Sequence, residues 1–264
     1  MGRDRYGLWA EFDVKTSIAE ATQRFRWVNP GRFMIGSPES EEGRHSDEGP
    51  QHEVTLSHGY WMADTPVTQG LYLAVMGENP SKFVDPPDLR RPVEQVSWDK
   101  SVAFVRRLSG LLPSGASDGL AIQLPSEAQW ERACRAGTDT ATYAPAGKGL
   151  DDIAWTAANA MRSTHTVGQH LPNAWGLFDT LGNVWEWCAD LRRSLDEPYP
   201  GGPRNDPIGK AGQERAFRGG SWGDLARHAR AGARDALGPS DRTRYLGLRL
   251  ARVRAHQLIA VSHP

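Results

Sequence analysis

The chain has 264 residues, 39% hydrophobic and 24% charged, with a formal net charge of −1. That is length enough for a sizeable buried core, and so balanced a charge excludes a general electrostatic pull toward nucleic acid or a membrane surface. No run of about 18 apolar residues is present to cross a bilayer, and the charged opening MGRDRYGLWAEFDV lacks an apolar secretory core, so the expectation is a cytoplasmic monomer.

From the N-terminus, residues 5–35 alternate in short runs and predict strands. In RFRWV, Phe25 and Trp27, with Phe33 beyond the turn Asn29-Pro30-Gly31, take one face, and Arg24 and Arg26 the other. Residues 36–50, GSPESEEGRHSDEGP, are acidic and rich in Gly and Pro, and read as an exposed loop. Residues 52–64 read as one strand. Residues 65–77 predict a helix capped by Thr65 or Thr68, with Val67, Leu71, Val75 and Met76 on its buried stripe. A second helix spans 96–112, capped by Ser97 and burying Val102, Phe104, Val105 and Leu108.

The third helical signal is IQLPSEAQWERACRAG (122–137), started by Pro125-Ser126-Glu127 and ended by Gly137. Cys134 follows Trp130 by one helical turn, which favours packing over reactivity. Helical patterning then fades: residues 138–217 are rich in Gly, Pro, Asn and Trp, with short apolar runs. No repeat or flexible linker divides the chain, so residues 1–264 read as one domain. Cys134 and Cys188 are the only cysteines, too few for a disulfide framework. No histidine pair has metal-binding spacing, and no HExxH occurs.

Eight motifs follow in order: GRFMIGS (31–37), EGPQHEVTL (48–56), PVTQGLY (66–72), RPVEQVSW (91–98), LPSEAQWERACRAG (124–137), NAWGLFDTLGNVWEWCAD (173–190), FRGGSW (217–222) and LGLRLAR (246–252). Together, over about residues 24–252, they resemble the formylglycine-generating-enzyme, or sulfatase-modifying-factor, family. The resemblance implies an α+β variant C-type lectin fold: loop-rich, with short sheets and two or three peripheral helices.

In LGNVWEW, Asn183 and Glu186 are oxygen donors of the kind a hard cation takes. The family resemblance implies a structural calcium ion there, held by Asn183, the Val184 carbonyl and Glu186. The open alternative gives Glu186 to an arginine. A second family calcium site would begin at Asn159-Ala160, but its later acidic ligand has no counterpart here.

The oxidase members of the family carry a copper-binding cysteine pair just after the RGGSW motif, since copper(I) selects thiolates. Here GDLARHARAGARDALGPSDRTRY (223–245) contains no sulfur. No copper is expected, and no catalytic residue is assigned. Arg227, Arg230 and Arg234 have helical spacing, whereas Ala229, Ala231 and Ala233 alternate as a strand would. One reading makes the arginines structural partners of the 36–50 acids.

A second resemblance, to the variable proteins of diversity-generating retroelements, lies in the frame RGGSW…R…AR…R…R…GxRLAR over about 218–252. Between the frame residues stand Gly223, Asp224, Leu225, His228, Gly232, Asp235, Leu237, Ser240, Thr243, Tyr245 and Leu246. Each of these types has a codon reachable from AAC by changing adenines. With Trp222 they are the expected ligand-binding positions, and the expected partner is a protein or small molecule at this surface. The alternative is an oxidase relative acting on a peptide or small substrate.

Overall fold

The protein is described here from a computed structural model, over residues 1–112, 119–192, 194 and 197–259. The first sheet begins with β1 (Gly2–Asp4), β2 (Gly7–Lys15) and β3 (Glu20–Val28). Alternation makes β2: Ala10 and Val14 turn inward, while Glu11 on the outer face meets Arg24 of β3 at 3.1 Å. The face assigned to Arg24 and Arg26 is only half open. Arg26 is buried and holds Asp4 at 2.8 Å, with the Tyr6 ring and Gly176 close against its guanidinium.

Residues 52–64 are two strands rather than one. β5 (His52–Leu56) pairs with β4 (Gly31–Ile35), whereas β6 (Tyr60–Ala63) pairs with β3 in the first sheet. The break at 57–59 is where the chain changes sheets. There the backbone of Ser57 donates to Asp206 Oδ1 at 2.9 Å.

The three predicted helices form where their caps place them. α1 (Gln69–Met76) starts at Thr68, α2 (Trp98–Leu111) at Ser97 and α3 (Glu127–Arg135) at Ser126, and each cap side chain accepts a backbone N–H of the first turn. Ala136 takes the left-handed conformation at the end of α3, with Gly137 following at positive φ. α1 and α2 pack through the stacked rings of Tyr72 and Phe104, 5.2 Å apart.

β7 (Leu120–Gln123) and β13 (Ala251–Arg254) complete the first sheet, in the order β1-β2-β3-β6-β13-β7. Residues 260–264, at the end of the sequence, lie outside the described residues. A second sheet has the order β11-β10-β8-β12, from β8 (Trp185–Arg192), β10 (Glu214–Arg218), β11 (Arg234–Leu237) and β12 (Leu246–Leu248). A third joins β4 and β5 to the short β9 (Arg204–Asn205).

β8 runs through the region where helical patterning fades and no strand was assigned. Residues 185–190 are all buried, so both faces of the strand are covered and no alternation marks it. Trp187 donates its indole N–H to Val96 O, and Trp98 donates to Cys188 O, both at 2.9 Å, which ties β8 to the start of α2. Long loops between short elements, with helices against the sheets, make an α+β architecture as expected.

Candidate functional site: the C-terminal face and its buried frame

β10 ends at Arg218, and the chain then turns through Gly219 and Gly220, both at positive φ. A Cβ on Gly220 would come within 2.8 Å of the His228 carbonyl, so only glycine lets the chain pass. This close crossing sets the 221–245 segment over the end of the second sheet.

Three buried arginines fasten the segment, and a fourth, Arg249, fastens the sheet beneath it. Arg218 is fully buried; it pairs with Glu127 at 3.0 Å and with Glu131, and donates to the carbonyls of Ala231 and Ala233 at 2.6 and 2.9 Å. Arg234 grips both oxygens of Glu127, sharing Oε2 with Arg218, and lies over the Tyr199 ring at 4.0 Å. Arg230 pairs with Glu48 at 2.6 Å and Glu41 at 2.5 Å, and donates to Gly43 O. Arg249 grips both oxygens of Glu186, at 2.7 and 2.8 Å.

Burial alone would raise the Glu127 carboxyl, but Arg234 and Arg218 outweigh it and bring the pKa to about 2. Glu48 is lowered in the same way, with Arg230 overcoming its burial. Arg230 is therefore a structural partner of the 36–50 acids, and Arg218 and Arg234 are partners of α3, whereas Arg249 serves β8, and Arg227 is exposed and bonds to His228 at 3.2 Å. The 36–50 loop is correspondingly not solvated throughout: Asp47 and Glu48 are buried beneath the segment they anchor.

Above this frame lies an aromatic cluster. Trp222 stacks on Tyr245 at 4.7 Å, and Phe83 meets Trp222 edge-on at 5.2 Å. The Trp222 indole donates to Arg244 O at 3.0 Å, while the Arg244 guanidinium lies 5.4 and 5.0 Å from the Trp222 and Tyr245 ring centres. Trp222 is only 4% exposed, so Tyr245 and Arg244 present the cluster to solvent.

The structure brings together some of the residues named from the sequence and separates others. Gly223 lies against the Tyr245 ring, and Thr243 Oγ1 accepts the Tyr245 N–H at 3.2 Å. Leu225 is 55% exposed, and Ser240 is also exposed. Asp224 is half-buried and accepts from the Trp185 indole at 2.8 Å and the Ser221 hydroxyl at 2.5 Å. His228 stands apart, 5.8 Å from the His45 ring, and partial burial lowers its pKa.

Asp235 and Leu237 lie on β11, beside Phe217 and Arg215 of β10. Gly232 and Leu246 face inward. Gly232 packs against Ser37 and Glu48, and Leu246 is in the main core at 1% exposure. Neither can touch a ligand without the segment opening. The sequence reading missed Phe83, Arg244 and His45, which sit in stretches without periodicity.

The residues named for a calcium ion do not fit one. Both Glu186 oxygens face donors, from Arg249 and from the Trp130 indole at 2.6 Å. Asn183 Oδ1 accepts the His165 N–H at 3.1 Å, and Asn183, Val184 and Glu186 are all fully buried. A cation here would have to displace a guanidinium already paired in two places. Asn159 is similarly engaged, accepting the Thr156 N–H at 2.8 Å. Among the described residues, no three His, Cys, Asp or Glu side chains are grouped to hold a metal ion.

Cys134 and Cys188 are free thiols in one buried cluster with Trp130. Burial pushes Cys134 up to about 12 and Cys188 far above its usual value. Cavities of about 870 and 540 Å³ lie elsewhere, on either side of the strap 207–210. Neither is lined by a residue named from the sequence as a site. No helix among the described residues is long and apolar enough to cross a membrane.

Comparison with known proteins fits this arrangement. Residues 12–254 match the Sulfatase-modifying factor enzyme 1-like domain. A formylglycine-generating enzyme of Thermomonospora curvata is 29% identical, over 94% of this chain and 80% of its own length. A serine/threonine-protein kinase, pkn1 of Chlamydia pneumoniae, is also 29% identical over 85% of this chain, which spans 37% of that protein. The solved structure of Treponema denticola variable protein 1 superposes with a TM-score of 0.78 at 29% identity, covering 91% of this chain and 98% of that one.

Proposed function

Because the chain belongs to the sulfatase-modifying factor enzyme 1-like family, in its C-type-lectin-fold form, we propose that it is a non-catalytic binding protein. Its ligand face is the outer surface of residues 218–252, and the face is diversified like those of retroelement variable proteins. One observation carries the reading. Within a single stretch, Arg218, Arg230 and Arg249 are buried and ion-paired, while Gly223, Leu225, Ser240 and Tyr245 reach the surface or its edge. The first set fixes the backbone, so the second can change without unfolding the protein.

The face is a surface patch of aromatic and guanidinium groups, away from the two cavities described above. Such a patch suits a protein or peptide partner, where Tyr, Trp and Arg contribute most binding energy, better than a small molecule that needs enclosure. The frame itself supplies no chemistry, since each buried carboxylate of its ion pairs is occupied by an arginine.

The competing reading is an oxidase relative, favoured by the likeness to a formylglycine-generating enzyme over 94% of the chain. It requires two thiolates after RGGSW. Asp224 and its neighbours provide none, and the thiols of Cys134 and Cys188 are buried and protonated.

The gene's surroundings test the diversified form of the proposal. The expected finding is a nearby reverse transcriptase and a near-copy of codons 218–252 that differs only at adenines. A locus with neither would remove diversification and leave binding by a fixed face.

A further inference from the structure

Glu94, in the segment leading into α2, is fully buried. Its Oε1 accepts the backbone N–H groups of Lys82 and Phe83 at 2.5 and 3.0 Å. Its Oε2 is buried with no hydrogen-bond partner. Among the described residues no cation is in salt-bridge contact with it, so an ionised Glu94 is a costly buried charge.

The loop it holds is knotted further by side chains. Gln69 Nε2 donates to Phe83 O at 3.0 Å, Asn79 Nδ2 donates to Gln69 Oε1 at 2.9 Å, and the Ser81 hydroxyl accepts the Glu94 N–H at 3.3 Å. The loop's outward product is the Phe83 ring, set edge-on against Trp222. The next residue, Gln95, takes a left-handed φ of 62° and donates its N–H to Thr243 O at 3.0 Å. Glu94 thus lies between two attachments, one to Phe83 and one to the strand of chain that carries Arg244 and Tyr245.

We propose that Glu94 is a protonation latch beneath the binding face: its carboxylate clamps the Lys82–Phe83 backbone, thereby fixes the Phe83 ring against the Trp222–Tyr245 stack, and loosens that stack when it takes a proton. The charges acting on it are the Lys82 ammonium from the clamped loop and the Arg244 guanidinium from the face, and both favour ionisation. Burial opposes them more strongly and raises the pKa to about 7. Above that pH the two N–H bonds go to a charged acceptor and are roughly twice as strong as those to a neutral one. Below it the acid is neutral and the clamp weakens. The device would give the face a pH-dependent shape near neutrality. Its consequence for binding rests on the function proposed above, but the latch itself does not.

The test needs no ligand. The full chain labelled with ¹⁵N-tryptophan is titrated from pH 5.5 to 8.5, with the Trp222 indole resonance identified by its loss in Trp222→Phe. The expected result is a shift of that resonance with a midpoint near pH 7, absent in Glu94→Gln, while the Trp98 and Trp187 indoles stay fixed in both. A flat Trp222 resonance in the native protein, or an unchanged titration in Glu94→Gln, overturns the latch, the latter assigning the effect to His45 or His228. Should Glu94→Gln fail to fold, Glu94→Asp keeps the charge on a shorter arm and must move the midpoint; an unmoved midpoint overturns the proposal as well. A latch that fails these measurements leaves the binding face untouched, and a face that binds nothing leaves the titration unaffected.

Discussion

Arg230 and Glu48, 182 residues apart in sequence, meet in a two-pronged ion pair at 2.8 and 2.6 Å. Both side chains are at most 5% exposed. The pair closes the acidic 36–50 loop under the C-terminal segment, so the two stretches of chain fold as one unit.

Removing one partner should be expensive. Arg230→Ala leaves Glu48 and Glu41 buried without their cation, and the expected loss is about 3–5 kcal/mol in urea unfolding. Replacing Arg230 with Met and both Glu48 and Glu41 with Leu should recover much of that loss, because no unpaired charge is then left buried. A loss below about 1 kcal/mol for Arg230→Ala would show that the pair is not buried in solution.

Chelation is expected to do nothing. Because Glu186 is held by Arg249 and Trp130, EDTA should leave the melting temperature where it was, and added calcium should not raise it. Arg249→Met should destabilise by several kcal/mol, since it strands a buried carboxylate. A clear drop in melting temperature with EDTA would restore the ion at Asn183 and Glu186.

Two sets of carboxyls give stability opposite pH slopes. Burial raises Asp190 to about 7 and Asp179 to about 6, above their ordinary 3.8. These groups hold protons that the unfolded chain releases, so their contribution is complete below about pH 4 and is lost as pH rises through 6 to 7. Glu127, brought down to about 2 by Arg234 and Arg218 against its burial, behaves in reverse: its contribution is present above 4.5 and is lost as pH falls toward 2. Melting curves across pH should show the neutral-range decline shrink in Asp190→Asn. An identical slope in that variant would contradict the assignment.

The two thiols should be inert in the native protein. Fully buried and held protonated, Cys134 and Cys188 are expected to react with a disulfide reagent only after denaturation. With copper and a cysteine-containing peptide supplied, oxygen uptake should stay at background. Rapid native labelling or peptide-dependent oxygen uptake would favour the oxidase reading.

What was legible in the sequence was local. Ser97 caps the helix it was expected to cap, Thr68 rather than Thr65 caps the first, and Ser126, within the expected start at 125–127, caps the third, because capping is decided within four residues. β8 was missed because burial on both sides erases the alternation that identifies a strand. The 36–50 acids looked solvated because their arginine lies nearly 190 residues downstream. Glu186 resembled a calcium ligand for the same reason, its partner Arg249 being 63 residues away. Eleven of the C-terminal positions were picked by their place between frame residues, a pattern blind to facing. It therefore included the inward Gly232 and Leu246 and omitted Phe83 and Arg244, which only the fold brings beside Trp222.

The central claim is that a buried frame carries a changeable binding face. It is tested most directly by randomising Leu225, His228, Ser240, Thr243 and Tyr245 together and selecting the folded library against an unrelated protein such as lysozyme. The account predicts that most members remain folded and that binders emerge with Arg218, Arg230, Arg234 and Arg249 intact. If face variants unfold as often as Arg230 or Arg249 variants do, or the folded pool yields no binder, the claim is contradicted.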